Sequence, residues 1–286
     1  PCADCLIQYT DWIGSLTYAP LRASGNNINV TRCTVSYFGN AGVVTAIPNT
    51  APKYPNSTDP PVPEPMSGRR LTVAYSHIHH GGSVGMDTAL LYTGGWGAAG
   101  QHWHHNWVHD GDEKCLRGDD QSENMTVHHN VVFNCGTRPD VDVASKQAGL
   151  GLILKGDGHV IYANTIFNAN YSEICLPACR EPLKGFRKQY PLVLQNRRTL
   201  LFNTAARRDF GWPCSCHNST DKNIPGGHAS HIYAGADLQL EDVARLRFWP
   251  AAGSPLVDAG EIKPPYTNGG FKGPRPDIGA YERGGG

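Results

Sequence analysis

Hydrophobic and polar positions follow one design in six stretches of the chain: β-forming residues, a small polar interruption, then β-formers again. They read NVTRCTVSY (29–37), TVAYSHIHH (72–80), HWHHNWVHD (102–110), TVHHNVVFN (126–134), VIYANTIFN (160–168) and TLLFNTAAR (199–207). Aligned on the polar position, they give a column of Cys33, Ser76, Asn106, Asn130, Asn164 and Asn203. Asn130 follows Asn106 by 24 residues, and recurrence at such periods marks a solenoid, in which each unit packs only on its neighbours. Stacked asparagine amides donate to one side and accept from the other, so the column satisfies itself in a protein interior. The pattern predicts an all-β, single-stranded parallel β-helix with Asn106, Asn130, Asn164 and Asn203 stacked inside. Val127, Ile161 and Leu200 are expected in the core beside them.

Between the repeats lie second strands: LLYTGG (90–95), CLRGDD (115–120), LILKGDG (152–158) and LVLQN (192–196). Each coil therefore needs at least two strands, paired with their counterparts one coil away at about 4.8 Å. The alignment places Tyr92, Arg117, Lys155 and Gln195 in one column, with Arg117 (LRGD) stacked on Lys155 (LKGD). Tight hairpin signals are almost absent, which argues against a propeller or sandwich. Residues 46–69 are proline-rich and are expected to be an extended loop; residues 180–208 are expected to form basic loops. The reading is one solenoid over 1–252 with long inserted loops, followed by a capping tail over 253–286.

Composition narrows the setting. Lysine plus arginine and aspartate plus glutamate both number 25, which gives no basis for general nucleic-acid binding. No apolar run is long enough for a membrane span. N-x-S/T sequons at Asn29, Asn56, Asn124, Asn170 and Asn218 point to a secreted, extracellular or cell-surface glycoprotein. Nine cysteines fit that setting as disulfides. Expected pairings are Cys2 with Cys5, Cys115 with Cys135, and at least one bridge from Cys175 or Cys179 to Cys214 or Cys216. The odd cysteine is left free or paired to another chain, so assembly with like or unlike chains through it, or through the loops, is one expectation.

The tail carries GSPLVDAG (253–260) and PDIGAYE (276–282). This pair resembles the C-terminal signature of secreted right-handed parallel β-helix proteins of the pectate-lyase-like superfamily. The resemblance implies a right-handed solenoid whose open end the tail closes, with Asp258, Asp277 and Glu282 as structural ties.

Candidate chemistry lies in two places. Ten of the 13 histidines fall between 77 and 159. Alignment stacks His79 on His109, His104 on His128 and His105 on His129, and puts His80, Asp110 and Asn134 in one column. Such an imidazole face suits metal ligation or proton transfer, and it equally suits a plain outward ladder. Arg117 and Lys155 form the second place. In eliminating polysaccharide lyases a base removes the proton at C5 of a uronate while a cation stabilises the carboxylate. Resemblance to chondroitinase-B-like and alginate lyases implies Lys155 as base, Arg117 as charge stabiliser, and His109 or His129 as proton donor. Tyr92, Asp119, Arg187 and Lys188 are the expected contacts to an acidic glycan or matrix polysaccharide, and a divalent cation, calcium, is the cofactor such a site could take. Asp119 and Asp120 also resemble the paired aspartates of polygalacturonases, a weaker reading because that family's other motifs are missing. A non-catalytic building block of a matrix, cell wall or surface filament accounts for the repeats, sequons and loops equally well, so the choice between enzyme and structural unit stays open.

Overall fold

The computed structural model describes residues 2–3, 6–8, 10–15, 19–23, 25–45, 70–84, 87–94, 100–119, 122–136, 149–177, 180–181, 193–194, 198–206, 228–235, 237–267 and 269–284. It is a right-handed parallel β-helix whose coils carry three strands each, one more than the repeats required. The first column comprises Leu6–Gln8, Asn29–Thr31, Thr72–Ala74, His102–His104, Thr126–His128 and Val160–Tyr162. The second comprises Asp11–Ser15, Thr34–Phe38, His77–Gly81, Trp107–Gly111, Val131–Cys135 and Thr165–Ala169. The third comprises Leu21–Ala23, Val43–Thr45, Leu91–Thr93, Lys114–Gly118, Leu150–Leu154 and Ser172–Cys175. Leu200–Ala206 runs through the corner and joins the first two columns, and His228–Ala234 pairs on it as the next coil.

Strand alternation makes this core. Val30, Val73, Trp103, Val127, Ile161 and Leu201 point inward from the first column, Val35, Ile78, Val108, Val132 and Ile166 from the second, and Leu91, Leu116, Leu152 and Ile174 from the third. Burying each such side chain contributes about 1.5–3 kcal/mol. The corner between the first two columns is sharp and needs a left-handed residue. Arg32, Tyr75, His105, His129 and Ala163 supply it, at φ between 48° and 55°.

The polar column follows that corner. The Oδ1 of Asn130 accepts from the backbone N and the Nδ2 of Asn106, both at 3.0 Å. The Nδ2 of Asn130 donates to the Trp103 carbonyl at 2.9 Å and to Asn164 Oδ1 at 3.0 Å. Ser76 and Cys33 continue the column toward the N-terminus through Ser76 N to Asn106 Oδ1 and Cys33 N to Ser76 Oγ.

At the last repeat the register differs from expectation by one residue. Tyr162 pairs with Phe202 and Thr165 with Ala205, so Thr204 takes the column position and Leu201, not Leu200, faces the core. Asn203 occupies the left-handed corner at φ 49°, a conformation asparagine tolerates better than most residues. Its amide turns to the tail instead: Glu261 N donates to Asn203 Oδ1 at 2.7 Å, and Asn203 Nδ2 donates to the Glu261 carbonyl at 2.9 Å.

The tail begins earlier than expected, at Asp237, and is fixed to the flank of the solenoid rather than only closing its end. Phe248, Leu256, Ile278 and Ala280 pack on the outward residues Val131, Phe133, Phe167 and Ala205 of the second column. Tyr266 packs on Tyr162 and Phe202 of the first. Trp107 Nε1 donates to the Tyr281 hydroxyl at 2.7 Å. Asp277 accepts from Asp258 N and Arg283 N, and its own N donates to Glu282. The carboxylates of Asp277 and Glu282 thus tie the tail together, the role expected of them, while Asp258 takes part through its backbone N–H.

Cys115 and Cys135 are bonded, as expected, and Cys175 is disulfide-bonded too. Cys5, Cys179, Cys214 and Cys216 lie outside the described residues, as does the side chain of Cys2. Cys33 is a free thiol, 2% exposed within the polar column, so it presents no sulfur to a partner chain. Val193–Leu194 does not extend the third column; it pairs antiparallel with Arg180–Glu181, and Ser172–Cys175 takes the expected place. The loops at 46–69 and most of 180–208 lie outside the described residues.

Candidate functional site

Arg117 and Lys155 do not stack. Arg117 pairs with Ile153, and Lys155 falls just beyond the strand, its N bonded to the Gly118 carbonyl. Packing decides this register: Leu116 lies on Leu152 in the core, two residues away from the match that the LRGD and LKGD motifs offer. Both cations instead converge on Asp119. Arg117 Nη2 donates to Asp119 Oδ2 at 2.6 Å, and Lys155 Nζ lies 2.6 Å from Asp119 Oδ1. The Tyr92 hydroxyl donates to the same carboxylate at 3.0 Å, while Arg117 Nη1 reaches Asp87 Oδ1 at 2.6 Å. Lys114 closes the network onto Glu113 and Asp87. Burial alone would raise the Asp119 pKa, but Lys155 and Arg117 outweigh it and hold it at about 2. Burial likewise works against the Arg117 charge and is overcome by Asp119 and Asp87.

Four of the expected site residues, Tyr92, Arg117, Asp119 and Lys155, are therefore together, but as a self-neutralised cluster. An ammonium held this close to a carboxylate is poorly placed to act as a base. Asp87 and Asp119 are already matched by cations, so this carboxylate pair does not fit a calcium ion. His109 and His129 belong to the second column and to the first corner, on other faces from this cluster. Arg187, Lys188 and Asp120 lie outside the described residues.

The histidines form two outward arrays. His79 stacks on His109 with ring centroids 5.2 Å apart, and the stack continues through Phe133 and Phe167 at 4.4 and 5.2 Å. His104 stacks on His128 at 5.0 Å, continuing through Tyr162 and Phe202 at 4.6 and 5.2 Å. His105 stacks on His129 at the corner. Here the left-handed turn breaks strand alternation, so His104 and His105 both face outward. Burial first, and neighbouring imidazoles second, lower the pKa of His77, His79 and His104 to about 4, of His129 to about 3 and of His128 to about 2. The tenth histidine, His159, is inside: its Nδ1 accepts from Met125 N and its Nε2 donates to the Lys155 carbonyl, with burial lowering its pKa to about 4.

A third feature was not foreseen. Beside the second column a groove of about 700 Å³ runs between the solenoid and the tail, lined by Phe133, Asn134, Phe167, Asn168, Asp237 and Gln239 among others. Its solenoid wall carries two polar rungs one coil apart, with Asn168 Nδ2 donating to Asn134 Oδ1; the ladder continues outside the groove, where Asn134 Nδ2 donates to Asp110 Oδ1. Asn134 and Asp110 were aligned from sequence. Asn168 ends the next repeat and carried the same signal, whereas Asp237 and Gln239 come from the tail and carried none.

No protein-family model and no curated protein sequence matches the chain. Among solved structures it is similar to the crystal structure of pectate lyase Pel9A, with a TM-score of 0.55 and 13% identity. The match covers 98% of this chain and 69% of that one. The likeness is one of fold: a parallel β-helix.

Proposed function

We propose that the protein binds a polysaccharide lying along the groove beside the second column. The observation that carries this reading is the pair of hydrogen-bonded rungs Asn134 and Asn168 in the groove wall, with Asp237 and Gln239 lining the same groove. Amides and carboxylates recognise the hydroxyl pairs of sugars. Because the rungs repeat at the coil spacing of about 4.8 Å, a polymer along the axis meets similar chemistry at successive residues. The pectate lyase neighbour supports a carbohydrate ligand by analogy of fold alone. The Asp237 carboxylate in the lining favours neutral sugars; a uronate chain would need a bridging cation such as calcium.

An extracellular setting accords with the Cys115–Cys135 disulfide and with exposed sequon asparagines at Asn29, Asn124 and Asn170. Among the described residues no helix is long and apolar enough to cross a membrane. Elimination by Lys155 is the less favoured mechanism because Asp119 occupies its ammonium. That same closed ion network favours, as a second reading, a structural unit of a matrix or wall.

A glycan panel of neutral and uronate polymers tests the assignment by affinity, with absorbance of the unsaturated product followed in parallel. Asn168→Ala, at an exposed rung, is expected to weaken binding about tenfold, the loss of one to two hydrogen bonds. Unchanged binding in Asn168→Ala and Asp237→Ala would remove the groove from consideration. Product formation lost in Lys155→Ala would restore the elimination reading. A complete lack of binding would leave the structural unit.

A further inference from the structure

One arrangement of histidines occurs twice. On the second column, His77 and His79 flank the inward Ile78, and His109 lies opposite His79 on the next coil. On the first column, His102 and His104 flank the inward Trp103, and His128 lies opposite His104. The diagonal contact is the same in both: Nε2 of His77 meets Nε2 of His109 at 2.6 Å, and Nε2 of His102 meets Nε2 of His128 at 2.6 Å. Ring centroids within the first triad are 4.1, 4.8 and 5.2 Å apart; in the second they are 4.4, 4.7 and 5.0 Å.

The outer nitrogens are also treated alike. His79 Nδ1 is held by His80 Nδ1 at 2.6 Å, and His104 Nδ1 by His105 Nδ1 at 2.9 Å. His109 Nδ1 donates to Asp110 Oδ2 at 2.6 Å, and His128 Nδ1 is held by His129 Nδ1 at 2.7 Å. A partner on Nδ1 fixes the ring and leaves Nε2 for another use, which is how imidazole ligands of metals are oriented. Stacking alone does not require these nitrogens, since the same two ring columns continue as Phe133 and Phe167, and as Tyr162 and Phe202.

We infer that each triad binds one borderline-soft divalent transition-metal ion through Nε2, at His77, His79 and His109 in one site and at His102, His104 and His128 in the other. As they stand, neither triad is spaced around an ion. Two nitrogens at 2.6 Å share a hydrogen. With metal–nitrogen bonds of about 2.0–2.1 Å in tetrahedral geometry they must part to about 3.3 Å, and the ring that carries the hydrogen must move it to Nδ1, the other tautomer, as the metal takes Nε2. His77 and His102 are only half-buried, so their rings have room to turn. Three imidazoles without a carboxylate among them select copper, nickel and zinc over calcium, with copper the tightest. This inference is independent of the glycan reading.

The test is calorimetric titration of the intact protein near pH 7 with Zn²⁺, Ni²⁺ and Cu²⁺, with Ca²⁺ as control. Two ions per chain are expected for the first three. His109→Phe and His128→Phe each extend a ring stack that already continues as Phe or Tyr, so both should fold, and each should remove one ion. The double variant should take up none. Should either phenylalanine variant lose its far-ultraviolet dichroism, His77→Gln and His102→Gln make the same test at half-buried positions. No uptake by the wild type, two ions retained by the double variant, or calcium bound as tightly as zinc would each overturn the inference.

Discussion

Asn130 is fully buried, yet its side chain bonds to both neighbouring coils. Replacing it by Ala strands the Asn106 backbone N–H away from water, at about 1–3 kcal/mol, and removes one of the bonds to the Trp103 carbonyl. Asn130→Asp should cost more than Asn130→Ala, because a carboxylate would face the Trp103 carbonyl and Asn164 Oδ1 with no hydrogen to offer. Denaturant unfolding of the two variants checks the order. This part of the molecule was legible in the sequence because a side chain that complements itself needs no other partner. Asn203 was misread for a related reason. Asparagine suits both the buried column and the left-handed corner, and the threonine after it could fill the column, so the letters alone did not separate the two registers.

At the scale of strands, existence was easier to read than register. Within short coils the pairings His79 with His109 and His104 with His128 follow directly from counting. Between Arg117 and Lys155 a long insertion intervenes, and there the likeness of two tetrapeptides was a poor guide. Core packing of Leu116 on Leu152 set the pairing, and the polar residues took what positions were left. The candidate site suffered most from this: an expected pair of stacked cations is instead a pair sharing one carboxylate. The third strand of each coil was also partly hidden, since Ser172–Cys175 has no leucine–cation motif to announce it. The disulfide from Cys115 to Cys135 joins the third column to the end of the second column one coil on. Their separation is 20 residues, and closing such a loop restricts the unfolded chain by about 3 kcal/mol. Replacing both cysteines by Ala should lower the unfolding free energy by roughly that amount, measurable by denaturant titration, without changing the parallel strand content seen by infrared spectroscopy.

For the molecule as a whole, the buried imidazoles set the response to acid. The folded pKa values of His159, His77, His79 and His104 are lowered from 6.5 to about 4, mainly by burial. The stability tied to these neutral rings is therefore complete above pH 6.5 and is lost as pH falls toward 4. Asp119, lowered to about 2 by Lys155 and Arg117 against the pull of burial, adds a loss below its ordinary range. Glu282 runs the other way: burial raises it to about 7, so its contribution is present below its ordinary pKa of 4.5 and is lost as pH rises through 7. Thermal melts from pH 4 to 8 should thus rise steeply toward neutrality and then flatten, and His159→Gln should blunt the acid limb. The tail's placement carries a further consequence, for mechanical load. In a parallel solenoid the backbone hydrogen bonds point along the axis, so tension between the ends opens coils one at a time, each bearing the whole force alone. From Trp107 to Asn203 the tail runs alongside and is tied at Tyr281, Ala280 and Gly279. Over that span the load is carried by two structures in parallel, one of them sheared rather than peeled. A pulled molecule would unwind from its N-terminal coils and stall where the splint begins.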